Sequence, residues 1–411
     1  MALRMTKLRR GIIEYWKAVR SFQPNARFFL LGSFLTSIGL SIFSLLFNLY
    51  LREAGVNEEV IGRVLSFGSL GTFIMAIPSA YLARKYDSRA LLIVTTLLAS
   101  SGYFVQSLYL SPALLMGANL FVGSVLTISR LLSSPFFMRN SSSRERTHLF
   151  AFSMAVGVLA GIIGNLIGGY LPPIYQALGL NTLTSLKYSL ATGAALALFG
   201  MFPYSFIREK RSHDEQARAP MPNKSQVTHL LKLCLPYALI GMGAGLVIPF
   251  LNLYFKEVFR ASTHEIGIYF AVLQALMVLG FLAGPILTRR FGMINIIVGT
   301  QLLSIPFMLI LALAPSVSLA VAAFWVRGVL MNMSSPIQNL FNMEAVPPDL
   351  REFTNSMTTL AWNGAWAISS FLGGTIIHRY SFSLSFYITI GLYLSSSLIY
   401  YFFFHRWEKR S

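Results

Sequence analysis

The chain has 411 residues, of which 55% are hydrophobic and only 12% charged, and its formal net charge is +18. Soluble domains carry about 25% charged residues, so this composition excludes a water-soluble globular protein and makes the bilayer the solvent. The positive charge does not mark nucleic-acid binding, because the basic residues are spread over alternate loops rather than gathered in one patch.

A membrane-spanning helix needs about 20 predominantly apolar residues, and twelve such runs can be read in order. They cover 27–51, 60–83, 90–110, 113–138, 150–172, 187–207, 233–255, 266–288, 293–313, 319–342, 354–378 and 383–404. The organisation that follows is a basic amino-terminal segment (1–26), a first bundle (27–207), a polar linker (208–232), a second bundle (233–404) and a short tail (405–411). The basic segment, with Tyr15-Trp16, is expected to lie along an anionic leaflet. No short apolar run with a small-residue cleavage site precedes the first span, so no signal peptide is expected.

The loops on the side of the termini hold 25 Lys or Arg and the opposite loops five. By the positive-inside rule both termini are expected in the cytoplasm, with the protein in the plasma membrane. The single cysteine, Cys234, rules out an intrachain disulfide and a cysteine metal cluster. No loop is large enough for a nucleotide-binding domain, and no cofactor or metal is expected.

The two bundles repeat one unit. Asn48-Leu49-Tyr50-Leu51-Arg52-Glu53 returns as Asn252-Leu253-Tyr254-Phe255-Lys256-Glu257, and Ile61-Gly62 returns as Ile266-Gly267. Tyr81 to Asp87 returns as Ile286 to Gly292. Ser133-Ser134-Pro135 returns as Ser334-Ser335-Pro336, and Gly168-Gly169 as Gly373-Gly374. The order is colinear, and parallel repeats in a membrane protein point to a transporter with its site between the halves.

With twelve spans, a basic loop after the second span and its copy after the eighth, the chain resembles the major facilitator superfamily over nearly its whole length. The loop after the second span reads Ala80-Tyr81-Leu82-Ala83-Arg84-Lys85-Tyr86-Asp87-Ser88-Arg89. The family pattern there is Gly-x-Leu-Ala-Asp-Arg-x-Gly-Arg-Lys, so Arg84 and its counterpart Arg289 replace an acidic residue. The fifth span carries Gly161, Gly164, Asn165, Gly168 and Gly169, with Asn165 where the family's antiporters have proline. Such small residues permit close helix approach. The resemblance implies an all-α polytopic fold of two six-helix bundles related by a pseudo-twofold axis, working by alternating access.

In the family the acidic loop residue is thought to pair with the start of the eleventh span. Here the charges are exchanged. A swapped cytoplasmic gate would join Arg84 or Lys85 to Asp349 or Glu352, and Arg289 or Arg290 to Glu145. The other reading of these residues is ordinary positive-inside charge.

No acidic residue falls near the middle of a span, so no intramembrane proton carrier is evident. Arg130 and Arg327 do fall within spans four and ten. A charge at a span centre costs about 2.5–3.5 kcal/mol on the insertion scale and usually faces a cavity. Counted from the repeated Ser-Ser-Pro the two arginines differ by four residues, about one turn, which puts them on matching faces. Unpaired guanidinium groups suit carboxylate, phosphate or sulfate. Alternatively, Arg130 snorkels to the surface, or either arginine bonds helix carbonyls.

Ser33, Ser37, Ser41, Ser44 and Asn48 form one face of the first span, matched in the seventh by Gly241, Gly245, Pro249 and Asn252. These faces line the pathway or pack helices. Asn48 and Asn252 are the stronger cavity candidates, and Asn332, Gln338, Trp362 and Asn363 extend the expected site. Trp362 and Trp366, one turn apart, read as a cavity wall or as packing.

The six histidines are scattered and none pairs with a carboxylate within a span, so an enzyme is not expected. The expected function is secondary export of an amphiphilic or anionic small molecule by a monomer in contact with membrane lipids. Uptake of a small polar metabolite, lipid or lysolipid flipping, and a non-transporting receptor are the alternatives. Nothing in the sequence names a coupling ion.

Overall fold

The computed structural model describes residues 22–208 and 224–405, apart from a few side chains. The expected amphipathic segment and most of the linker lie outside the described residues. Every described element is helical. The first half comprises α1 (Pro24–Glu53), α2 (Glu58–Lys85), α3 (Ser88–Leu108), α4 (Pro112–Arg139), α5 (Ser143–Ala177) and α6 (Thr182–Phe199). A short turn of helix, Met201–Tyr204, follows α6 beyond Gly200. The second half comprises α7a (Lys224–Val247) and α7b (Leu251–Phe259), α8 (Thr263–Phe291), α9 (Met293–Leu313), α10a (Val317–Met333) and α10b (Ser335–Glu344), α11 (Arg351–Arg379) and α12 (Phe382–Phe404).

Eleven of the helical segments are long and apolar enough to cross a membrane. The twelfth, α11, has the length but is diluted by Thr354, Thr358, Asn363, Ser369 and Ser370. It can carry them because it packs against both α2 and α7a, where most of these side chains bond helix carbonyls. The end of the molecule bearing residues 22 and 405 is here the terminal end, and the opposite end the far end.

The halves differ where proline acts. Pro249 cannot donate a backbone hydrogen bond, and α7 is interrupted there by a 3-10 turn over Ile248–Phe250. The equivalent position in α1 is Leu45, and α1 is continuous. Likewise α10 breaks at Ser334, ahead of Pro336, whereas α4 runs on through Pro135. The tenth expected span is therefore two helices rather than one.

The repeat is visible in three dimensions as paired contacts. Tyr50 Oη donates to Ser107 O at 2.9 Å, and Tyr254 Oη to Leu311 O at 2.5 Å. Gly62 of α2 faces Gly374 of α11, and Gly267 of α8 faces Gly169 of α5. A Cβ on Gly62 would lie 2.6 Å from Ser370 O, and one on Gly267 2.6 Å from Asn165 O. These two crossings are the seams between the halves, and the glycines that the repeat preserves are what let the backbones meet. Gly164 and Gly168 serve the same purpose within the first half, against Ile38, Ser41 and Ile42 of α1.

Candidate functional site

The asparagines of the repeated Asn-Leu-Tyr segment form a reciprocal clasp. Asn48 Nδ2 donates to Pro249 O at 2.6 Å, and Asn252 Nδ2 donates to Leu45 O at 2.8 Å. Each amide thus crosses from one half to a carbonyl of the other. Both are almost fully buried, where an unpaired amide would cost about 1–3 kcal/mol. The hydrogen bonds and ion pairs described between the halves gather at this end, and the far end is closed.

Beneath the clasp lies a cavity of about 490 Å³ between the halves. Its roof is Asn48, Asn252 and Pro249. Phe43, Tyr103, Leu126 and Phe270 supply apolar and aromatic wall, with Trp362 and Trp366 stacked at 6.0 Å opposite. Asn363 also lines it and donates to Thr359 O at 2.9 Å. Among the described residues lining the cavity, Arg130 is the charged one, and it is exposed.

The second arginine is placed differently. Arg327 is 3% exposed and is not part of the cavity wall. Its Nη2 donates to Tyr393 Oη at 2.8 Å, and the guanidinium stands over the Tyr393 ring at 5.8 Å. Tyr393 reaches it from α12 past Gly243 of α7a. The one-turn offset between the two arginines thus separates a cavity residue from a residue inside the second bundle, and the two do not share a face. Asn332 bonds back to Gly328 O at 2.8 Å, and Gln338 is buried on α10b; neither lines the cavity.

The small-residue faces divide along their length. Gly241 and Gly245 pack against the α11 backbone at Trp362 and Trp366, and Ser41 packs on Gly164. Ser44, Asn48, Pro249 and Asn252 reach the cavity.

Two groups escaped the sequence. Gln106 of α3 and Asn119 of α4 line the cavity and bond each other, Asn119 Nδ2 to Gln106 Oε1 at 3.3 Å. Gln106 is 1% exposed and its Nε2 has no partner. The signal available was two amides in apolar spans, Asn119 lying eleven residues from Arg130 and so on the same face of α4. The second group is an ionic cluster at the far end. Arg52 meets Glu58 at 3.1 Å and Glu257 at 2.5 Å, and His378 Nδ1 lies 3.0 Å from Glu58 Oε2. Glu59 pairs with Arg63 and stands 3.9 Å from Arg379.

At the terminal end, the side chains of Arg84, Asp349 and Glu352 lie outside the described residues. Lys85 stands over the rings of Tyr81 and Tyr86, and Arg290 over that of Phe291. Among the described residues no ion pair joins Glu145 to Arg289 or Arg290.

The family model of the Major Facilitator Superfamily matches residues 29–369 and 233–411. The chain belongs to that superfamily. Its fold is similar to that of a bacterial homologue of the human lysosomal transporter Spinster in an inward-facing, unoccupied conformation, with a TM-score of 0.73 and 14% identity over 92% of this chain and 96% of that one. It is also similar to the nucleoside transporter NupG, with a TM-score of 0.73 and 15% identity over 92% and 98% of the two chains. A bacterial homologue of the iron transporter ferroportin, inward-facing, gives 0.72 and 16% over 92% and 97%. Among curated proteins, none matches the sequence significantly. This superfamily member is thus a multi-pass membrane protein of the transporter class, with twelve helices in two bundles.

Proposed function

We propose that the protein is a secondary active transporter that works by alternating access and exports an amphiphilic anion across the plasma membrane. The observation that carries this reading is Arg130, a lone cation in a cavity otherwise walled by aromatic and apolar side chains and neutral amides. A cavity of this volume is within the range for small-molecule sites, and an unpaired guanidinium favours a carboxylate or phosphate. Asn119 and Arg130 are three turns apart on α4, about 16 Å between α-carbons at 1.5 Å per residue. The substrate then has an anionic end at Arg130, an apolar body against Trp362 and Trp366, and an oxygen acceptor that Gln106 can pair. Arg327 is assigned to joining α10a and α12.

In this reading the terminal end faces the cytoplasm, on the strength of the loop charge bias. The closed far end corresponds to a state open inward. The gate proposed for Arg84, Lys85, Asp349, Glu352, Arg289, Arg290 and Glu145 belongs to the opposite state, in which the far end parts and the cytoplasmic ends meet. Exposed pairs of this kind are worth at most about 1 kcal/mol each, enough to bias an equilibrium between two conformations. The protein acts as a monomer in this scheme.

The test is movement of dodecyl phosphate and of dodecyltrimethylammonium in proteoliposomes and everted vesicles. Protein-dependent accumulation of the phosphate by everted vesicles is expected, with a loss of about tenfold or more in Arg130→Gln, since a hydrogen bond to a charged group is worth about 1.5–3 kcal/mol. Movement of the cation in preference to the anion would contradict the substrate class. Accumulation in right-side-out vesicles alone would reverse the direction.

A further inference from the structure

The far-end cluster is not explained by the substrate cavity, nor by the repeat. At the α2–α11 seam Glu58 bonds Arg52 and His378. The equivalent of Glu58 is Thr263, at the α5–α8 seam, where Tyr170 and His264 rings meet at 5.9 Å instead. Among the described residues, the α2–α11 seam thus carries an ion pair between the halves and the α5–α8 seam carries none. The Glu58 side chain is 6% exposed whereas that of His378 is 40% exposed, so a buried carboxylate is held by a histidine that water on the far side can reach.

The pair bridges the halves, since Glu58 opens α2 and His378 ends α11. Glu58 O also lies against Gly374, so separating the seam must separate the pair. The charged groups around His378 are Arg52 from α1, Glu58 and Glu59 from α2, Glu257 from α7b and Arg379 on its own helix. Its direct contact is Glu58. Histidine is the side chain that ordinarily changes charge between about pH 5 and 8. A neutral imidazole gives Glu58 one ordinary hydrogen bond, whereas an imidazolium gives a charge-assisted one of about twice the strength. Acid on the far side thus strengthens the Glu58–His378 contact across the seam, and loss of the proton weakens it.

We infer that Glu58 and His378 form a proton-operated lock, through which the pH of the far-side compartment sets how readily the far end opens. Because His378 is reachable while the far end is closed, the proton acts as a regulator from that side and need not travel with the substrate. The inference rests on the alternating access proposed above.

Ser111 and Ser316 are equivalent exposed positions on the far-end loops before α4 and α10a, and neither takes part in the cluster. Spin labels on Ser111→Cys and Ser316→Cys, in a Cys234→Ser background in lipid nanodiscs, report far-end opening as a distance distribution. The ratio of long to short distances should rise about fivefold from about pH 5.5 to pH 8, the effect of roughly one hydrogen bond's worth of stabilisation. His378→Gln should remove the pH response, His378→Arg should hold the far end closed throughout, and His264→Gln should leave the response intact. A response that survives His378→Gln, or wild-type distances that ignore pH, would overturn the lock. A single distance in every variant, Glu58→Ala included, would instead overturn alternating access itself.

Discussion

The first half keeps α1 and α4 continuous and presents its intramembrane arginine to the cavity; the second half breaks α7 and α10 and turns its arginine inward to Tyr393. Both halves nevertheless spend the same residues on joining each other. The Asn48–Pro249 and Asn252–Leu45 bonds are equivalent under the repeat, as are the Gly62–Gly374 and Gly267–Gly169 crossings. Duplication thus preserved the backbone crossings and the asparagine clasp, where the halves meet across a twofold axis. What diverged is the setting of the two intramembrane arginines, the helix breaks, and the ionic cluster at the α2–α11 seam.

That contrast can be broken most severely at the seams. Gly374→Val places side-chain carbons where Gly62 Cα and Glu58 O now stand, and overpacking of this kind costs about 1–3 kcal/mol. Gly169→Val, at the equivalent crossing, should cost a similar amount. Both variants should shift the Ser111–Ser316 distance toward the open state. A large effect at one seam and none at the other would show that the interface is not symmetric in energy.

The clasp should give a smaller and balanced response. Asn48→Ala and Asn252→Ala each leave a buried carbonyl and remove an inter-half bond, a loss of about 1–2 kcal/mol in thermal or denaturant stability. The two changes share one interface, so the double variant should cost less than the sum of the singles. Strict additivity would mean that the two bonds act independently, and unequal single costs that they are not equivalent.

The weakest expected effect is at the helix break. Pro249→Ala restores a backbone donor to the 3-10 turn, and the change should lie within about 1 kcal/mol because Asn48 still finds the carbonyl of residue 249. Retained transport with a more helical α7 would show that the break is tolerated rather than required. Lost transport with unchanged stability would show that the second half needs it to bend.

Much of this architecture was legible in the sequence because it is written in period and repetition. The spans follow from apolar length, and the seams fall on glycines that recur in register. The tenth span looked continuous because Ser334 and its neighbours are short and compatible with helix, and the break becomes visible only beside α4, which runs through the same motif. The spacing of the two arginines does not fix their orientation. Four residues of helix is more than one full turn, so positions offset by four differ in azimuth by about 40°, and Tyr393 decides which way Arg327 turns. Arg52 and Glu58 flank one loop, but Glu257 and His378 lie far from them in the chain and read individually as helix-end charges, so only the fold brings the four together. Asn119 shares a face of α4 with Arg130, eleven residues on, but nothing in the sequence of α3 links Gln106 to it, so only the fold pairs the two amides.

The central claim is that the first half's arginine reads an anionic substrate while the second half's arginine holds its bundle together. Its most direct test is the thermal stabilisation of purified protein in nanodiscs by dodecyl phosphate, compared between Arg130→Gln and Arg327→Gln. The stabilisation should vanish in Arg130→Gln and persist in Arg327→Gln, which should instead start from a lower melting temperature. Stabilisation that survives in Arg130→Gln and disappears in Arg327→Gln would contradict the account.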